Sequence, residues 1–198
     1  MTWATRITIL RLILVPVFVT LIITYDDTDK REEFWRWAAL GVFVLAGVSD
    51  AVDGYLARHW NQGSALGALL DPIADKLLLV AALVTLSFIP VGHLRPFPIW
   101  FPAIIISRDE LLLGGYAVLR HFHVPVDIHP HWTGKVSTVF TLLAIGAVLL
   151  KLGDDITLSL CAIGAGTALI CTVIYVRKGL ELLKYSGHTS AQTPHSSP

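Results

Sequence analysis

The chain has 198 residues, 54% hydrophobic and only 15% charged, with 15 basic side chains balancing 15 acidic ones and a mean hydropathy of +0.65. Ordinary soluble domains carry about 25% charged residues, so this composition argues against one and points to a polytopic membrane protein. Zero net charge and the lack of a basic block leave nothing suited to nucleic acid.

Taken in order, the first apolar run, residues 7–24, follows Arg6 and contains Arg11 and Pro16. Its basic start resembles a signal peptide. The run is long for one, and Tyr25 leads straight into DDTDKREE with no small-residue cleavage site. The pattern therefore predicts a first transmembrane helix with a short amphipathic lead-in and a candidate kink at Pro16. A polar loop, 26–33, precedes a second helix over 35–58, whose Trp35 and Trp37 suit an interfacial belt. A third helix is predicted over 64–88, ending before Pro90. A fourth, 98–121, carries Arg108, Asp109 and Glu110 in its middle; a fifth covers 133–152 and a sixth 156–185. The expected fold is all-α, one membrane domain of six transmembrane helices over residues 1–185. The tail 186–198, SGHTSAQTPHSSP, has the composition of a disordered segment.

Six spans put both termini on one side. If that side is cytoplasmic, the inner ends hold Arg6, Arg11, Arg58, Arg120, Lys135, Arg177, Lys178 and Lys184. The outer ends hold Lys30, Arg31, Arg36, Arg95 and Lys151. This distribution agrees with the positive-inside rule by a modest margin. Cys161 and Cys171 are about 15 Å apart along one helix, too far for a disulfide, and read as apolar filler.

The chemistry concentrates in residues 50–75, DAVDGYLARHWNQGSALGALLDPIAD. Asp50, Asp53, Gly54 and Ala57 share one helix face, as do Gly67, Asp71 and Asp75. The polar turn between them, at His59, Asn61, Gln62 and Gly63, suggests a helical hairpin directing four carboxylates at one another. Four anions share a site only with a cation or with protons. Oxygen-only ligands favour Mg²⁺ or Mn²⁺ over Zn²⁺. On spacing alone, Gly54, Ala57 and Gly67 serve equally for close approach of a nucleotide or for close helix packing. Arg58 would neutralise a carboxylate or hold phosphate. Arg108 with Asp109 forms either a structural pair or an anion clamp. Lys135 would do the same job or simply obey the positive-inside rule. The histidines of the HFHVPVDIHPHW loop, His121, His123, His129 and His131, lack a definite ligand spacing and read as a solvated loop.

The pattern D-x2-D-G-x2-A-R-x8-G-x3-D-x3-D is complete at Asp50, Asp53, Gly54, Ala57, Arg58, Gly67, Asp71 and Asp75. It resembles the signature of the CDP-alcohol phosphotransferases, integral membrane enzymes of phospholipid synthesis. The resemblance covers residues 8–184 and is densest over 41–79. It implies two Mg²⁺ or Mn²⁺ ions on Asp50, Asp53, Asp71 and Asp75, with Asp75 also the general base. It further implies a CDP-binding set of Gly54, Ala57, Arg58 and Gly67, an acceptor-phosphate role for basic residues such as Arg108 and Lys135, and a homodimer. The implied reaction is attack of an alcohol on the β-phosphorus of a CDP-linked donor, releasing CMP on the cytoplasmic side, or the matrix side of an organelle inner membrane.

Two stretches, ALGVFVLAGVSDAVDGYLARHWNQGSALGALLDPIADKLL and IIISRDELLL, are most similar to the CDP-diacylglycerol-dependent cardiolipin synthases, whose acceptor is phosphatidylglycerol. Phosphatidylglycerophosphate synthases, which use glycerol 3-phosphate, follow closely, and TILRLILVPVF and HWTGKVSTVFTLLA suit either. One departure stands out: Ala4-Thr5 replaces the family's usual Pro-Asn, which leaves that Asn's role to Thr5 or to no residue. The rival reading from another class is a carboxylate-lined ion or proton transporter.

Overall fold

The computed structural model describes residues 3–25, 33–60, 65–89, 94–121 and 132–190, with side chains described over 9–25, 33–49, 76–89, 94–115 and 132–181. These residues form six helices: α1 (Trp3–Thr24), α2 (Glu33–Trp60), α3 (Ala65–Phe88), α4 (Trp100–His121), α5 (Trp132–Leu149) and α6 (Asp154–Ser190). They coincide with the six apolar runs to within a few residues. The helix α6 continues to Ser190, past the expected end at Tyr185, and residues 191–198 lie outside the described set, as does the histidine loop beyond His121.

Among the described residues, two helices are long and apolar enough to cross a membrane, Trp132–Leu149 and Asp154–Glu181. Shorter apolar stretches cover Ile9–Thr24 and Lys76–Phe88. Outward-facing apolar side chains are abundant, among them Ile13, Leu45, Val48, Leu111, Val139, Ile170 and Val173. A helix that is apolar on its outer face as well as its inner one suits lipid better than water. These features are consistent with an integral membrane protein.

The chain divides into two units. The first comprises Met1–Pro102 with Leu142–Leu158; the second comprises Ala103–Thr141 with Ser159–Pro198.

In the first unit α1 packs against α2 and α3. The buried stripe of α1 is Arg11, Leu14, Phe18 and Ile22, followed by Tyr25 just past its end. That of α2 is Arg36, Ala39, Phe43 and Ala46. Both follow the three-and-four spacing of a helix with one inward face. The rings of Phe18 and Phe43 meet with centroids 5.9 Å apart and fix the register of the pair.

The end of α5 is closed by a Schellman turn, in which Leu152 N–H donates to the Ala147 carbonyl at 3.0 Å and Lys151 N–H to the Val148 carbonyl at 3.0 Å. The left-handed position, which favours glycine, is occupied by Lys151 at φ 54°. Its side chain explains the choice. The ammonium lies 3.0 Å from Glu33 Oε1 and 5.6 Å from the centre of the buried Tyr25 ring. Glu33 also accepts from Arg36 Nε at 3.2 Å, and Arg36 Nη1 donates to the Leu149 carbonyl, one of the carbonyls that a helix end leaves without an intrahelical donor. One ionic cluster thereby ties the start of α2 to the turn between α5 and α6. On the other side of that turn, Arg95 pairs with Asp154 at 2.6 Å.

Hydrogen bonds from Arg36, and then from Lys151, hold the Glu33 carboxyl below its usual 4.5. A carboxyl depressed on folding adds stability that is fully present above its unfolded value and lost as pH falls through the folded one. We expect Glu33→Gln to have a lower thermal midpoint than the parent at neutral pH. The gap should close as the buffer is taken below pH 4.5, which parallel melts of the two proteins will show.

Candidate active site

The acidic motif lies on two helices of the first unit. Asp50, Asp53, Gly54, Ala57 and Arg58 occupy the last third of α2, and Gly67, Asp71 and Asp75 the first half of α3. Their backbones are helical; their side chains lie outside the described residues. The register is nonetheless informative. The buried stripe of α2, Arg36–Ala39–Phe43–Ala46, has alternating steps of three and four, and its next two members are Asp50 and Asp53. On α3, Leu78 and Ala82 are buried, and the same stepping toward the N-terminus reaches Asp75 and then Asp71. All four aspartates therefore occupy positions that continue the inward stripes of their helices.

A donor set of carboxylate oxygens alone fits a hard divalent cation such as Mg²⁺ or Mn²⁺. Among the described residues no group of three or more His, Cys, Asp or Glu is placed to hold a metal, and the four aspartate side chains lie outside that set. A cavity of roughly 600 Å³ does exist in the first unit, lined by Leu94, Arg95, Val148, Lys151 and Asp154 among others. It lies beyond the C-terminal end of α3, away from the acidic positions.

Arg108 and Lys135 belong to the second unit. Arg108 sits on α4 and is buried, with 8% of its surface exposed. Its Nη1 pairs with Asp109 Oδ1 at 3.1 Å, and its Nη2 lies 3.8 Å from Cys171 Sγ on α6. On the third side is Gly134 of α5, where an added Cβ would come 2.7 Å from Arg108 Nη2 and 3.5 Å from Cys171 Sγ. The absence of a side chain at Gly134 is what makes room for the guanidinium. Lys135, the next residue, is exposed.

Two buried polar atoms here have no hydrogen-bond partner among the described residues, Arg108 Nε and Thr133 Oγ1. Buried donors without acceptors are costly, so each is suited to an incoming anion's oxygen. Asp109 therefore pairs with Arg108 without using all of its donors.

Sequence reasoning had Cys171 as filler. It is fully buried and unbridged, but it also forms one wall beside the Arg108 guanidinium. Thr133 was missed altogether, since a threonine in the first turn of an apolar helix carries no signal of its own. Nearby, Ser137 Oγ donates to the Gly164 carbonyl at 3.0 Å and joins α5 to α6.

Comparison with known proteins agrees with the motif. A family model described as CDP-alcohol phosphatidyltransferase matches residues 1–176. The cardiolipin synthase (CMP-forming) of Streptomyces coelicolor is 35% identical over 183 residues, covering 88% of this chain and 80% of that protein. The CDP-diacylglycerol–glycerol-3-phosphate 3-phosphatidyltransferase of Haemophilus influenzae is 38% identical over 147 residues, 72% of each chain. The human cardiolipin synthase (CMP-forming) is 36% identical over 155 residues, 70% of this chain and 47% of the human one. With the complete acidic motif on two consecutive helices and a family match over most of its length, the chain belongs to the CDP-alcohol phosphatidyltransferases and is a phosphotransferase enzyme.

Proposed function

We propose that the enzyme transfers a phosphatidyl group from CDP-diacylglycerol to phosphatidylglycerol, forming cardiolipin and releasing CMP. The observation that carries the reading is the continuation of the buried stripes of α2 and α3 onto Asp50, Asp53, Asp71 and Asp75. The choice of acceptor rests on the resemblance of 39–78 and 104–113 to cardiolipin synthases; relatives named for either product match over similar lengths. The runner-up acceptor is glycerol 3-phosphate, as in the name of the Haemophilus relative.

In this reading all six helices span the bilayer, with both termini and the α2–α3 turn on the cytoplasmic side, or the matrix side of an organelle. The outward apolar side chains on each helix support it. The active form is a homodimer.

Asp50, Asp53, Asp71 and Asp75 hold two Mg²⁺ or Mn²⁺ ions. Such ions, when bound, neutralise the donor's diphosphate and the charge that builds on CMP as it leaves. Gly54, Ala57 and Gly67 leave the backbone open to the cytidine diphosphate, and Arg58 pairs with a phosphate oxygen. Asp75 accepts the proton of the acceptor hydroxyl. The hydroxyl oxygen forms a bond to the β-phosphorus, the phosphorus–oxygen bond to CMP breaks, and CMP departs with the electron pair. Arg108 holds the acceptor's phosphate, with Thr133 as a second donor and Lys135 adding charge. The unmet Arg108 Nε and Thr133 Oγ1 support that role.

The deciding assay offers purified protein CDP-diacylglycerol with Mg²⁺ or Mn²⁺, and phosphatidylglycerol or glycerol 3-phosphate in separate reactions. CMP and the lipid product are followed together. Cardiolipin from the first acceptor is expected; phosphatidylglycerophosphate from the second alone would move the enzyme to the runner-up. Asp50→Asn, Asp53→Asn and Asp71→Asn should each cut turnover on the order of a thousandfold. Loss of a general base at Asp75→Asn should cost about 10²–10⁴-fold in kcat with donor affinity nearly intact. Near-parental turnover in the first three would refute the metal site.

Gly134→Ala tests the acceptor clamp. The added methyl meets the far end of a flexible side chain, so the helix tolerates it while the guanidinium has to move. Acceptor KM should rise about tenfold, the loss of one charge-assisted hydrogen bond, with donor KM unchanged.

A further inference from the structure

A third buried arginine has no place in the scheme so far. Arg11 lies on α1 with 4% of its surface exposed, in a helix whose other buried members are Leu14, Phe18 and Ile22. It is not a free charge. Burying a guanidinium in an apolar helix is costly unless it is matched by opposite charge, so its depth is a clue to its purpose.

The register of α1 and α2 gives that depth. Phe18 and Phe43 meet ring to ring. Seven residues after Phe18 is Tyr25, and seven before Phe43 is Arg36. These two lie at the same end of the pair, joined through Lys151 and Glu33. The helices therefore run antiparallel with residues of constant number sum opposite one another. Carried seven residues the other way, the same rule takes Phe18 to Arg11 and Phe43 to Asp50. Both steps are about 10 Å along the axis and return to nearly the same face. Counted from the helix ends, Arg11 is eight residues into α1, Asp50 and Asp53 ten and seven from the end of α2, and Asp71 and Asp75 six and ten into α3. Because α1 packs on both acidic helices, Arg11, the buried cation of α1 among the described residues, stands at the level of the acidic positions.

We propose that Arg11 is a positioning residue of the acidic centre, coupled energetically to Asp50 and offsetting the mutual repulsion of the four carboxylates. This inference rests on the reading that Asp50 belongs to the metal site. The guanidinium offsets part of that repulsion when no cation is bound. A dication then adds to a preformed centre and takes over part of the same electrostatic task.

A double-mutant cycle tests it, using full-length protein in detergent micelles and thermal unfolding without divalent ions. Arg11→Met and Asp50→Asn are measured alone and together, with Asp154→Asn, at the far end of the unit, as the control partner for Arg11→Met. We expect Arg11→Met to lower the midpoint, the Asp50 pair to be non-additive by on the order of tenfold in the unfolding equilibrium, and the Asp154 pair to be additive. Mn²⁺ should raise the midpoint more in Arg11→Met than in the parent, because the ion replaces the missing charge. Arg11→Lys, which keeps the charge, should respond to Mn²⁺ like the parent.

Additivity with Asp50→Asn would overturn the proposal, and so would an equal Mn²⁺ shift in Arg11→Met and parent. If Arg11→Met does not fold, recovery of folded protein in Arg11→Met/Asp50→Asn supports the coupling and continued failure refutes it. Failure of the metal-site reading looks different: Asp50→Asn would then respond to Mn²⁺ like the parent.

Discussion

The ring contact between Phe18 and Phe43 sets what the rest of the first unit can do. It locks two antiparallel helices in register, and one heptad away on either side the same two stripes reach polar residues. Toward the α1–α2 loop those are Tyr25 and Arg36, drawn into the cluster with Glu33 and Lys151. Toward the other end they are Arg11 and Asp50. A slip of one residue would rotate each stripe by about 100° and take the charged positions off the inward face. Apolar packing in the middle thus determines where charge can be placed at both ends.

The far cluster shows how a buried charge is stabilised in such a body. Arg36 is buried, and its donors go to Glu33 and to the Leu149 carbonyl, which helix geometry had left without a partner. Lys151 accepts an unfavourable left-handed backbone, at a cost of about 1–2 kcal/mol, so that its ammonium can reach Glu33 and Tyr25. Glycine would suit the turn and lose the connection. A residue that violates local preference while bonding to a distant helix is a sign that tertiary structure has overruled propensity.

The six helices were legible because apolar run length and the breaks at Pro90 and the polar loops are properties of contiguous sequence. The acidic motif was legible for a related reason: its eight positions fall within 26 residues on two consecutive helices. What was not legible joins residues far apart in the chain. Arg36 bonds to a carbonyl 113 residues away, and Lys151 to a carboxylate 118 residues away. The contact of Arg108 with Cys171, the space left by Gly134 and the unmet hydroxyl of Thr133 depend likewise on how α4, α5 and α6 meet. Periodicity tells which face of a helix is buried; it does not tell which neighbour the face meets.

The three buried arginines separate by what their donors are given. Arg36 has a carboxylate and a helix-end carbonyl, both supplied by the fold, and nothing in its setting calls for a ligand. Arg108 has Asp109 beside it and a polarisable sulfur at 3.8 Å, while its Nε and the Thr133 hydroxyl have no hydrogen-bond partner among the described residues. In the proposed function those donors are what an acceptor phosphate would engage. Arg11 differs again, since its position along α1 matches the level of four aspartate positions on α2 and α3, whose charge exceeds what one arginine can cancel. In the proposed function the remainder is the negative charge that would favour divalent ions. A wholly neutralised cluster would bind them poorly, and one with no internal cation would be hard to assemble in lipid before they arrive.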